Sequence, residues 1–255
     1  MRPSSFSSPE VRVFPDAEAV AVAAAEAFAR AAERIVAERG AFYVALSGGS
    51  TPRAVYARIA EEEVGGRRKL PWAGIHVFFG DERCVPPDHA ESNYRMASES
   101  LLDHVPLPPA NLHRIRGELP PATAATAYEA DLRRYMPLQQ AGMPRFDFLL
   151  LGVGPDGHTA SLFPGSAALA ETTRAVVASE APMPPVQRVT LTLPVLNNSA
   201  SVLFLVLGGE KAAMLRQVLR TDTSGAVFPA QRVRPVTGCA RWYLDEAAAS
   251  QLAKP

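Results

Sequence analysis

Short apolar runs that end in glycine or a turn alternate along this chain with longer stretches whose apolar residues recur every three to four positions. The first pattern suits strands buried on both faces, the second amphipathic helices. Strands are predicted at Val11–Phe14, Ala41–Leu46, Ile75–Phe79, Phe146–Leu151, Arg188–Leu193, Val202–Leu207 and Ala240–Leu244, the last a candidate edge strand. The spacing predicts a long helix over Ala17–Glu38, with Val20, Ala24, Phe28, Ala31 and Ile35 on its buried stripe, Asp16 as cap and Gly40 as stop. Further helices are expected after Thr51–Pro52, from Ser92 to Leu102, over Ala122–Met136, from the turn that holds Lys211 to Arg220, and after Asp245. Glu61–Lys69, Pro86–Asn93 and Ser166–Pro185 read as connections, and Pro194–Asn198 as a break with a short turn. Strand–helix alternation predicts an α/β fold, a mostly parallel sheet covered by helices on both faces. No linker is visible, so a single domain is expected.

The segment Phe146–Gly165, FDFLLLGVGPDGHTASLFPG, carries the most chemistry. Its apolar run ends at Gly152-Val153-Gly154-Pro155, a turn that delivers Asp156 and His158 to the C-terminal end of a central strand. Thr159 can cap a helix after it. Ligands bind at that edge of an open α/β sheet, and the imidazole titrates near neutral pH, which suits a general base. A solvated or capping histidine is the plain alternative.

A second strand, Ala41–Leu46, runs into Ser47-Gly48-Gly49-Ser50-Thr51-Pro52. Strand, glycine loop and helix start together make an anion site: backbone N–H groups can approach a phosphate, hydroxyls add donors, and the helix dipole favours negative charge. The loop has neither the Gly-Lys-Ser/Thr of a nucleotide-binding P-loop nor a GxGxxG pattern, which points to one phosphate of a small metabolite. A tight turn before a capped helix is the other reading. A third strand ends in Gly80-Asp81-Glu82-Arg83-Cys84, where Arg83 offers a planar fork for phosphate or carboxylate, unless the loop is solvated with a local ion pair. Asn93 and Tyr94, at the start of the next helix, can face the same cleft. Lys211 opposes the dipole of its helix, as a cation reserved for a ligand would. Cys84 reads as packing, His76 as structural, and His89, His104 and His113 as exposed.

Lys plus Arg and Asp plus Glu are both 26, and this balance argues against a general nucleic-acid binder. The two cysteines, Cys84 and Cys239, show neither disulfide nor zinc spacing and fit a reduced, cytoplasmic setting. No run has the length of a signal peptide's apolar core or of a membrane span.

Four segments together resemble the 6-phosphogluconolactonase family. They are LSGGSTP (Leu46–Pro52), FFGDERCVPPDHAESNY (Phe78–Tyr94), LLLGVGPDGHTASLFPG (Leu149–Gly165) and RVTLTLPVLNNS (Arg188–Ser199); LGGEK (Leu207–Lys211) is similar too. LSGGSTP is shared with glucosamine-6-phosphate deaminases. Their DGH segment continues into an Ile-Ala-Phe-Asn-Glu-like run, whereas Thr-Ala-Ser-Leu-Phe-Pro stands here, and this favours the lactonase. The resemblance implies a Rossmann-like, three-layer α/β/α domain over residues 1–255. It implies hydrolysis of 6-phosphoglucono-δ-lactone to 6-phosphogluconate, with no metal and no organic cofactor. Carried over, His158 is the general base and Asp156 its polar neighbour. Ser47, Gly48, Gly49, Ser50 and Thr51 with Arg83, Arg188 and Lys211 hold the phosphate, and Asp81 and Asn93 complete the substrate site. The partner expected is a small sugar phosphate, not nucleic acid or membrane, and the chain is expected as a monomer or small homo-oligomer. A sugar-phosphate isomerase or deaminase, with Asp81 moving a carbon-bound proton, and a non-catalytic phosphosugar sensor are the alternatives.

Overall fold

The structure, a computed structural model, describes residues 10–136, 142–220 and 228–252. The expectation of no apolar core of signal-peptide length rests largely on residues 1–9, which lie outside the described residues. In chain order the elements are β1 (Glu10–Phe14), α1 (Ala17–Arg39), β2 (Phe42–Leu46), α2 (Ser50–Val64), β3 (Ile75–Phe79), β4 (Asp81–Arg83), α3 (Asn93–Ser100), α4 (Pro121–Tyr135), β5 (Phe148–Gly152), β6 (Val176–Glu180), β7 (Gln187–Leu191), α5 (Leu193–Asn198), β8 (Ser201–Val206), α6 (Ala212–Val218), β9 (Cys239–Asp245) and α7 (Glu246–Ala249). Side-chain caps start three helices where the sequence places them. Asp16 accepts from the Ala19 amide at 2.8 Å, Ser92 from Arg95 at 3.2 Å and Asp245 from Ala248 at 2.7 Å.

Six strands form one parallel sheet in the order β1-β9-β8-β5-β2-β3. Phe28 of α1 meets Phe42 and Phe148 on one face, at ring separations of 5.7 and 6.2 Å. Tyr128 of α4 meets Phe78 on the other, at 6.5 Å. Helices therefore cover both faces, and the apolar strands are buried between them.

Several expectations change. β9 is an inner strand, because β1 adds outside it in register from Glu10↔Arg241 to Phe14↔Asp245. The stretch expected to be loop contains β6, which pairs antiparallel with β7; β4 joins them in a second sheet, β4-β7-β6. Helix α2 continues to Val64 inside the stretch read as a connection, and the expected break at Pro194–Asn198 lies in the short helix α5. Thr51 lies inside α2, whose cap is Gly49 with no side-chain bond. No helix follows Thr159; its hydroxyl donates to the Gly152 carbonyl at 2.9 Å and ties the loop's two ends.

His113 is buried and not exposed. Its ring stacks on Phe78 at 4.2 Å and its Nε2 lies 3.2 Å from Nδ1 of His76. Burial, with His76 beside it, pushes its pKa down to about 4 from an ordinary 6.5. Below pH 6.5 the unfolded chain then takes a proton that the fold refuses, so this group lowers stability as pH falls from 6.5 to about 4. At 1.36 kcal/mol per pKa unit the total loss is at most about 3 kcal/mol. Thermal melts of wild type and His113→Phe across that range check it: the variant should show a shallower acid slope, and an equal slope rules this source out.

Candidate active site

Because the six-stranded sheet is parallel, β2, β3, β5 and β8 all deliver their following loops to one edge. β2 and β5 are neighbours whose onward connections diverge, β2 to β3 on one side and β5 to β8 on the other. A crevice outside such a divergence is where α/β sheets take ligands. The Ser47–Thr51 loop leaves on one side of it and the Val153–His158 loop on the other.

In the second loop the Asp156 carboxylate accepts from Nδ1 of His158 at 2.5 Å and from its backbone amide at 3.2 Å. The contact fixes the ring and places the proton on Nδ1, which leaves Nε2, unpartnered among the described residues, as the basic nitrogen. The His158 side chain is 30% exposed and leans on Phe163 at 4.6 Å, so solvent and substrate can reach it. Gly154 makes the geometry possible: a Cβ there would lie 2.1 Å from the His158 ring. A cavity of about 780 Å³ bordered by Asp156, Phe163, Ser166, Ser179, Glu180 and Gln187 opens beside the pair.

In the first loop Ser47 is buried and its hydroxyl has no partner among the described residues. Gly48 lies against Asn93, where a Cβ would fall 1.9 Å from Oδ1. With no side-chain cap on α2, the first-turn amides and the Ser50 and Thr51 hydroxyls are left for an anion.

Asp81 and Asn93 are brought together. Asp81 Oδ2 accepts from the Ser161 hydroxyl at 2.6 Å, and Oδ1 and the carbonyl accept from Asn93 Nδ2 at 3.3 and 3.0 Å. Both residues are nearly inaccessible and knot the three loops together. Ser161 is bound in turn by Thr190 and Ser179. Glu82 is a further residue that sequence reasoning passed over. Its carboxylate accepts from the amides of Arg83, Asn93 and Tyr94 and the Ser92 hydroxyl, and so caps α3 from outside that helix. Burial raises its pKa and those amide bonds hold it down. The visible signal was an acid a short loop before a helix start.

Arg83 and Arg188 face each other in the β4–β7 register. Arg83 donates to the Glu91 carbonyl at 2.5 Å and approaches its carboxylate at 3.5 Å. Arg188 is only 7% exposed and its Nε has no partner among the described residues. Burial and the Arg83 charge both lower its pKa. Asp81, Glu82 and Glu91 act on Arg188 in the opposite sense, and the paired guanidiniums make this a candidate anion site. Lys211 lies in the turn Gly209–Lys211 after β8, partly exposed and with no ion pair among the described residues. His89 and His104 make local contacts, with the Glu91 amide and the Glu99 carbonyl. Cys84 is half-buried and burial raises its thiol pKa to about 11, consistent with packing. Among the described residues no group of three or more His, Cys, Asp or Glu can hold a metal ion, and no helix is long and apolar enough to cross a membrane.

Comparison with known proteins identifies the family. The profile of the family described as glucosamine-6-phosphate isomerases/6-phosphogluconolactonase matches residues 15–242. The 6-phosphogluconolactonase of Rattus norvegicus is 42% identical over 253 residues, covering 99% of this chain and 94% of its own. That of a Nostoc species is 37% identical over 243 residues, covering 95% and 98%. The solved 6-phosphogluconolactonase of Trypanosoma brucei superposes with a TM-score of 0.87 at 32% identity, covering 98% of this chain and all of the other. The chain belongs to the glucosamine-6-phosphate isomerase/6-phosphogluconolactonase family.

Proposed function

We propose that the chain is a sugar-lactone hydrolase that converts 6-phosphoglucono-δ-lactone to 6-phosphogluconate, a cytoplasmic step of the oxidative pentose phosphate pathway, with His158 as general base. The observation that carries this reading is the Asp156–His158 pair, held with Nε2 unspent across a crevice from an uncapped anion loop. The name shared by the relatives supports the substrate class.

The chemistry follows from those groups. Water attacks the C1 carbonyl while Nε2 takes one of its protons, and Asp156 stabilises the imidazolium that results. The tetrahedral intermediate expels the ring oxygen, which takes the proton back from Nε2; the new carboxylic acid then ionises to solvent. No covalent intermediate is needed, because the lactone is already activated. Arg83, Arg188, Lys211 and the Ser47–Thr51 loop bind the distant phosphate, and that binding energy holds the carbonyl near the base. Arg83 and loop amides are the candidate donors to the oxyanion. The isomerase reading needs Asp81 as a free base, yet both its carboxylate oxygens are engaged by Ser161 and Asn93.

The test is lactone disappearance in a coupled assay in which the phosphorylated lactone is generated in place. A rate far above spontaneous hydrolysis is expected. Folded protein that adds nothing to the background overturns the proposal.

A further inference from the structure

Ser47 is where β2 ends and the anion loop begins. Its amide donates to the hydroxyl of Tyr56 and its carbonyl accepts from that same hydroxyl, each at 2.9 Å. One side chain thus satisfies both main-chain groups of the residue. Tyr56 sits in the second turn of α2, the helix into which the loop runs, and its ring is wholly inaccessible. The bonds close loop and helix start into one ring of chain. Tyr128 of α4 repeats the device at Phe79, the last residue of β3, with bonds of 2.7 and 2.9 Å. Both tyrosines therefore hold a residue at which the chain leaves the sheet for the site.

We infer that Tyr56 is a positioning residue for phosphate recognition. By fixing the Ser47 backbone it keeps the buried, unpartnered Ser47 hydroxyl and the amides that follow in place for the anion before substrate arrives. A loop whose first residue was free to turn would have to be ordered by the ligand, and affinity for the phosphate would fall. The inference rests on the reading of this loop as the phosphate site. Phenylalanine keeps the ring and removes only the hydroxyl.

The experiment measures kcat and KM of wild type and Tyr56→Phe with two substrates, 6-phosphoglucono-δ-lactone and unphosphorylated glucono-δ-lactone, alongside thermal melts. The variant should raise KM for the phosphorylated lactone roughly threefold to tenfold, the equivalent of one hydrogen bond. Its kcat, and its kcat/KM for the unphosphorylated lactone, should stay within about twofold, inside the usual scatter of near-neutral changes. An unchanged KM with only a lowered Tm, or equal losses on both substrates, overturns the inference and leaves Tyr56 a fold residue. If wild type does not prefer the phosphorylated lactone, the phosphate reading itself fails and takes this inference with it. Should Tyr56→Phe not fold, amide hydrogen exchange of the wild type decides. Ser47 should exchange as slowly as Val44 inside β2, and exchange as fast as Gly49 overturns the proposal.

Discussion

Replacing His158 with alanine should lower kcat by about 10²–10⁴ while KM and the melting temperature hardly move. The magnitude is what a placed general base contributes. KM should hold because the groups proposed for the phosphate, the Ser47–Thr51 loop, Arg83, Arg188 and Lys211, lie on other segments of the chain. Stability should hold because the side chain is 30% exposed and, among the described residues, hydrogen-bonds only to Asp156. Steady-state kinetics, corrected for spontaneous hydrolysis, give the answer. Asp156→Asn should cost less, since an amide oxygen can still accept from Nδ1 but no longer stabilises the imidazolium charge. Near-wild-type turnover in His158→Ala would falsify the assignment of the base. A Tm drop as large as a core mutation's would show that the ring is structural.

The second large effect is expected at Arg188. Arg188→Met, which keeps most of the stem, should raise KM tenfold to a hundredfold, since a charged hydrogen bond is worth about 1.5–3 kcal/mol. The unliganded variant should be at least as stable as wild type. A buried guanidinium with an unpartnered Nε, facing Arg83, costs free energy until an anion joins it. A structural arginine would behave in the opposite way. Product should raise the wild-type melting temperature and do so less in the variant, as binding to the folded state requires. A stable variant with unchanged KM removes Arg188 from the site.

What was legible in the sequence was local. The run ending in Gly-Val-Gly-Pro announced β5 and its loop, and Asp16, Ser92 and Asp245 announced their helices because a cap needs only its own next turn. What was not legible was pairing over distance. β6 reads as a loop because two of its five residues are exposed and prolines follow; it is a strand because β7 lies beside it. Thr159 has the right hydroxyl for a cap but spends it on Gly152. Asp81 and Asn93 were singled out from the sequence, yet that they bond to each other was not legible, and a further partner of Asp81, Ser161, is 80 positions away. His113 sits among prolines and charges, and it is buried by residues distant in sequence, Phe78, His76 and Tyr135, packed on its ring. Residue types thus pointed to the chemistry, and long-range contacts decided which of them are spent on holding the others still.

The outer place of β1 bears on how the chain is made. Its only sheet neighbour among the described residues is β9, through pairs such as Glu10↔Arg241. On the ribosome β1 therefore waits for this partner until β9 has been synthesised. Meanwhile β2, β3, β5 and β8 can assemble in turn. An exposed strand edge that waits is open to wrong partners, and the interval between the synthesis of β1 and of β9 leaves one such edge without its partner.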